Sequence, residues 1–110
     1  MKKHFKLSDY AATFSTRMKA DEIFTHFDEF IKTVKDDEYI VIDFAGVQAI
    51  SYSFLDQFLS KISNSPLIKE RRISINGFSL SLAPAIKESL HHRNYRDFES
   101  AGNSELVLVC

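Results

Sequence analysis

Tyr39-Ile40-Val41-Ile42-Asp43-Phe44-Ala45-Gly46-Val47-Gln48-Ala49-Ile50-Ser51-Tyr52-Ser53-Phe54-Leu55-Asp56 decides how the rest of the chain is read. The stretch opens on an unbroken apolar run rich in β-branched residues, passes through a turn around Gly46, and reaches serines just ahead of a helix-period pattern. Strand, loop, helix is the order this predicts. A run without polar alternation has no wet face, so Tyr39 to Phe44 belongs in the middle of a sheet covered on both sides, as parallel strands usually are. After it, Phe54, Leu55, Phe58, Leu59 and Ile62 recur at helical spacing and bury one face.

Working outward toward the N-terminus, Lys35-Asp36-Asp37-Glu38 is a polar connection. Before it, Ala20, Ile23, Phe24, Phe27, Phe30, Ile31 and Val34 mark an amphipathic helix over Thr16 to Val34, with Ser15 as the expected N-cap. Arg17 and Lys19 fall in its first turn, where the helix dipole disfavours cations, so something beyond local energetics must hold them there. Phe5 and Leu7 alternate with Lys6, and Tyr10, Ala12 and Phe14 alternate with smaller residues, which predicts an N-terminal strand pair.

Toward the C-terminus, Ser63-Asn64-Ser65-Pro66 ends the second helix, because proline biases its predecessor away from helical angles. Arg71 to Asn76 alternates as a strand, with Ile73 and Ile75 on one face. A third helix starts at Ser79 or Ser81 and runs through Leu82, Ile86 and Leu90, with Pro84 tolerated in its first turn. His91 to Ser104 reads as polar loop around Gly102-Asn103, and Leu106 to Val109 as a final strand (about 105–109). That strand should join a sheet edge or pair with a second copy of the chain, giving a homodimer.

Strands alternating with helices imply βαβ units. The expected fold is α/β: one domain over 1–110, core about 5–90, with a mixed central sheet and helices mainly on one face. Its core is expected to be Ile23, Phe24, Phe27, Ile31, Ile40, Val41, Ile42, Phe44, Val47, Ile50, Leu55, Phe58, Leu59, Ile73, Ile75, Leu82, Ile86 and Leu90.

Of 110 residues, 45% are hydrophobic and 26% charged, with a formal net charge of −1, so the balance of charge gives no reason to expect nucleic acid or an anionic membrane as partner. No apolar run is long enough to span a bilayer, and Met1-Lys2-Lys3-His4-Phe5-Lys6-Leu7 has a positive start with no apolar stretch behind it. The one cysteine, Cys110, cannot form an internal disulfide, which fits a reducing compartment, and the cytoplasm is the expected location.

Asp43-Phe44-x-x-Val47-x-x-Ile50-Ser51-x-Ser53-Phe54-Leu55 resembles the central segment of STAS domains, and more closely the STAS-like family of unknown function. Thr16-Arg17-x-x-Ala20-x-x-Ile23 is similar to the first helix start of that family. The resemblance implies a STAS-like α/β sandwich. Related anti-sigma-factor antagonists carry Asp-Ser-Ser-Gly-Leu, whose second serine is a phosphorylation switch. Laid on that signature, Ser51 takes the acidic place, Tyr52 the first serine, Ser53 the switch serine, Phe54 the glycine and Leu55 the leucine; only the switch serine and the leucine match. The resemblance implies a partner protein, of the kinase-type ATPase class in such antagonists.

Ser53 is therefore the candidate phosphoacceptor, since free N–H groups and the dipole at a helix start favour an anion. The competing structural role is a cap, because Ser53-Phe54-Leu55-Asp56 is also a Ser-x-x-acid capping pattern. Ser51 is a lesser candidate. Asp43, near the carboxyl end of a buried strand, lies where α/β proteins put working groups, but a lone acid points to a structural role. Arg17 is expected to share the carboxyl edge with Ser53. The expected contact set is Arg17, Asp43, Ser51, Tyr52 and Asp56.

No catalytic residue is expected. Adjacent His91 and His92 would point about 100° apart on a helix, and His4 and His26 lack ligand spacing, so no metal is expected. The clusters Lys69 to Arg72 and His91 to Arg96 read as solvated charge. With three glycines and no phosphate-binding loop, the chain has no motif for a cofactor, and none is expected. Two functions follow: a non-enzymatic regulatory module that binds a partner protein through 51–57, or a small-ligand or nucleotide-binding module using the carboxyl edge of the sheet through Arg17 and Asp43.

Overall fold

A computed structural model describes residues 2–47, 49–65 and 73–90 in full, and 95–100 and 103–108 as backbone. The apolar stretch Tyr39–Asp43 forms β2, flanked on both sides by parallel partners: β1 (Lys2–Lys6), with Phe5 opposite Ile42, and β3 (Ile73–Asn76), with Ile75 opposite Ile42. The sheet order is β1-β2-β3-β5-β4, where β4 is Tyr95–Ser100 and β5 is Asn103–Leu108. β5 runs antiparallel to both β3 and β4, so the sheet is mixed.

The mixture has a different origin from the one the sequence suggested. No N-terminal hairpin forms: β1 ends in a short 3-10 turn at Leu7–Asp9 and pairs in parallel with β2. Of Tyr10, Ala12 and Phe14, only Phe14 meets strand-like backbone, as a single parallel bridge to Ile50. The hairpin is instead β4–β5. β5 lies inside the sheet between β3 and β4, not at its edge, and β4 falls within the stretch expected to be loop. Pro66, Gly102, Val109 and the parts of the two charged clusters at 69–72 and 91–94 lie outside the described residues.

Three helices complete the described elements: α1 (Arg17–Ile31), α2 (Tyr52–Ser63) and α3 (Ala83–Ser89). Their apolar stripes meet one side of the sheet. Ala20, Ile23, Phe27 and Ile31 of α1, Phe54, Leu55, Phe58, Leu59 and Ile62 of α2, and Ile86 of α3 share one buried cluster with Phe5, Ile40, Ile42, Ile73 and Ile75. Val41, of opposite pleat to Ile40 and Ile42, is also buried but stands apart from that cluster. Phe24, Val47, Ile50 and Leu82 are only partly buried and border the core.

A row of phenylalanines ties the layers together. Phe5 meets Phe27 edge-on at 5.1 Å, Phe27 meets Phe58 at 6.1 Å, Phe58 stacks on Phe54 at 5.5 Å, and Phe54 meets Phe14 edge-on at 5.3 Å. Such pairs add about 0.5–1.5 kcal/mol each beyond the area they bury. At the opposite end of β2, Glu38 accepts from the Lys35 N–H at 2.9 Å and lies 3.6 Å from Lys3 on β1, fixing the turn that feeds the central strand. The Lys35 N–H first, and the nearby Lys3 charge, hold the Glu38 carboxyl below the ordinary glutamate range against the opposing effect of desolvation.

Candidate functional site

Because β1, β2 and β3 are parallel, the loops leaving them and the starts of α1 and α2 converge on one edge of the sheet. The convergence is stitched at Ser51. Its backbone N–H donates to Phe14 O at 2.9 Å, extending the Phe14–Ile50 bridge, while its hydroxyl donates to Ser15 O at 2.9 Å and accepts from Phe54 N–H at 3.0 Å. Ser51 is thus the N-cap of α2 and at the same time its bond to the α1 approach.

This corrects the capping assignment. Ser53 lies inside the first turn of α2, exposed, and does not cap it. The expected reciprocal partner, Asp56, is engaged elsewhere: its carboxylate takes Arg17 at 3.2 Å, and Arg17 also donates to Gln57 Oε1 at 3.3 Å. The Ser-x-x-acid pattern suits a capping box, but Asp56 is drawn to a guanidinium 39 residues away in sequence, a contact no local pattern signals. In α1 the cap likewise moves by one residue, from Ser15 to Thr16, whose hydroxyl accepts from Lys19 N–H at 3.0 Å.

The cations of the first α1 turn now have an account. Arg17 spans to α2, and Lys19 pairs with Glu22 at 2.8 Å. One turn further along, Asp21 accepts from Gln57 Nε2 at 2.9 Å and pairs with Lys61 at 3.0 Å, while Lys61 also lies 5.5 Å from the centre of the Phe24 ring. The Gln57 hydrogen bond first, then Lys61, hold the Asp21 carboxyl below its ordinary value. Arg17, Asp56, Gln57, Asp21 and Lys61 form a polar ladder along the α1–α2 seam. Being largely open to solvent, its ion pairs serve to set the helices' register more than their stability.

Asp43 is bound up in its own turn. Its Oδ1 accepts from Ala45 N–H at 2.8 Å. A side chain at Gly77, which has φ +76°, would run into that carboxylate oxygen and come within 2.8 Å of Ala45 N. Phe44 N–H donates to Asn76 O at 2.9 Å, so the exits of β2 and β3 interlock around Asp43 and Gly77. Gly46, with φ +83°, supplies the turn that follows, closed by Val47 N–H to Phe44 O at 3.0 Å. Arg17, Ser51 and Asp56 are thus brought together with Ser53 beside them, while Asp43 is held apart in the β2 turn.

The loops and helix starts at this edge carry exposed apolar side chains, of which Tyr10 lies back along α1, stacked on Phe5 at 4.7 Å and 4.9 Å from His26. Tyr10 follows β1, Met18 is in the first turn of α1, Tyr52 opens α2, and Leu80 follows β3; Met18 and Leu80 are 82% and 85% exposed. Only Tyr52 was singled out from the sequence. Among the described residues, exposed Tyr39 lies at the opposite edge, at the start of β2. A shallow hollow of about 430 Å³ opens at the same edge, lined by Ser8, Ala11, Ala12, Phe14 and Gly46. Neither Arg17 nor Asp43 lines it. Among the described residues, no group of three or more His, Cys, Asp or Glu is placed to hold a metal ion, and no helix is long and apolar enough to cross a membrane.

Residues 27–79 match the family described as a STAS-like domain of unknown function. The match runs from the middle of α1 through β2 and α2 to the loop after β3, and so contains the Ser51–Asp56 helix start. Comparisons with curated proteins and with solved structures returned no match. Among its described residues the chain is an α/β fold with three parallel strands and three helices, consistent with the STAS-like family that residues 27–79 match.

Proposed function

We propose that this STAS-like chain, a helix-and-sheet sandwich, is a non-enzymatic regulatory module that binds a partner protein through the carboxyl edge of its sheet. The binding surface centres on residues 51–57 and extends to the start of α1. The observation that carries this reading is the exposure of Met18 and Tyr52 in the first turns of the two helices whose starts Ser51 and Arg17 hold together. Exposed aromatic and methionine side chains beside an ordered polar rim are the composition of an interface centre. The ladder from Arg17 to Asp56 and the Ser51 stitch support it further, because a surface already held in place loses less freedom on binding.

Antagonists with a related signature bind kinase-type ATPases, and such a partner is the first to test. With Ser51 acting as the cap, Ser53 is free of a capping duty, which supports its role as phosphoacceptor. The test uses wild type, Tyr52→Asp, Ser53→Asp and Ser53→Ala as bait for a partner captured from cell extract, each first checked for folding. Tyr52→Asp and Ser53→Asp should lose the partner that wild type and Ser53→Ala retain. Equal capture by all four would refute both the surface and the switch.

The hollow beside Phe14 favours a second reading, a small-ligand or nucleotide site. A thermal-shift screen separates the two: a nucleotide that raises the melting temperature with no protein partner present supports the small-ligand reading.

A further inference from the structure

The starts of α1 and α2 share more than a surface. Ser51 N–H to Phe14 O, Ser51 Oγ to Ser15 O, and Arg17 to both Asp56 and Gln57 all cross from one helix start to the other. Beneath them Phe14 packs edge-on against Phe54. One atom belongs to both sides, since the Ser51 hydroxyl donates to the α1 approach and accepts from the first turn of α2. Opening α2's first turn releases the hydroxyl that holds Ser15, and drawing Ser15 away turns that hydroxyl from the position in which it caps Phe54.

We infer that the first turns of α1 and α2 are a single cooperative opening unit jointed at Ser51, so that a perturbation of either helix start is transmitted to the other. A chain of hydrogen bonds through one hydroxyl is cooperative in this sense, and cooperative local units are how sub-global opening proceeds in folded proteins. The inference concerns the free protein and does not depend on the binding reading above.

Native-state amide exchange tests it, with two reporters that the substitutions leave bonded. Ala20 N–H donates to Thr16 O at 3.1 Å in α1, and Leu55 N–H donates to Ser51 O at 3.1 Å in α2. The variants are Thr16→Ala, which removes the α1 cap, and Ser51→Ala, which removes the joint; Ser51→Thr restores a hydroxyl. Each Ala variant should speed exchange at both Ala20 and Leu55 by about threefold or more, the scale of a lost cap. Val34, whose N–H donates to Ile31 O at 3.0 Å at the far end of α1, should be unchanged, and Ser51→Thr should return both reporters toward wild type. Acceleration confined to the helix carrying the substitution would overturn the inference. So would an equal rise at Val34, which would mean loosening along the whole of α1, or a Ser51→Thr variant that behaves like Ser51→Ala.

Discussion

Phe58→Ala strikes the point where the row of rings passes from α1 to α2. Phe58 is fully buried, 5.5 Å from the Phe54 ring and 6.1 Å from Phe27. Truncation removes a ring from two aromatic contacts and leaves a cavity that the sheet, pinned by parallel pairing on both sides of β2, cannot close. Losses of about 3–5 kcal/mol are typical of such a change. With a urea dependence of about 1.5 kcal/mol per M for a chain of this size, the unfolding midpoint should drop by about 2–3 M. Total stability for such a domain is about 5–15 kcal/mol, so the variant should still fold in the absence of denaturant unless the wild type lies at the bottom of that range. Equilibrium urea unfolding followed by far-UV circular dichroism measures the shift. A change below about 0.5 M would place Phe58 outside the core and refute the α2 register on which the candidate surface depends.

Four further substitutions probe the site and the strand that positions it. Ser51→Ala should cost about 0.5–2 kcal/mol and Ser53→Ala less than about 0.5, measured as urea midpoints; the reverse order would return the cap to Ser53. Gly77→Ala should cost about 1–3 kcal/mol, because a side chain at positive φ must also displace the Asp43 carboxylate, and an unaltered melting temperature would contradict the interlock of the β2 and β3 exits. The Glu38 carboxyl is held below its ordinary value of 4.5, so its ionised form favours the fold. Its contribution is complete above that value and lost as pH falls through the lower, folded-state value. Glu38→Gln should therefore flatten the fall in stability below pH 4.5, and an unchanged acid profile would count against the Lys35 and Lys3 contacts.

The central strand and the buried face of α2 were legible because their signals are internal to each segment. Tyr39–Asp43 has no polar alternation, and the Phe54 to Ile62 spacing allows one buried face. Pairing direction was not legible. Phe5 alternates equally well in a hairpin or a parallel strand, and the choice is made by β2, more than thirty residues away. β4 was missed because Tyr95 and Phe98 fall on opposite faces of a strand, leaving no apolar side to read, as suits a strand at the end of a sheet. At the candidate site, Ser51 and Ser53 both offered a hydroxyl at a helix start. The decision rested on Arg17 taking Asp56 and Ser15 taking the Ser51 hydroxyl, contacts that span 39 and 36 residues. The same distance explains why Arg17 in the first turn of α1 looked misplaced, whereas Lys19 pairs locally with Glu22. Met18 and Leu80 carried no motif, and their meaning emerged only when parallel strands brought three loops to one edge.

Amide exchange of the chain alone and bound to its captured partner most directly tests the claim that the carboxyl edge is the binding surface. Binding should slow exchange in the first turns of α1 and α2 (residues 17–20 and 52–57) and in the 77–82 loop, leaving β1 and the C-terminal ends of α1 and α2 as they were. Protection confined to the β1 edge or to the 32–38 connection, with the helix starts unaffected, would contradict the account.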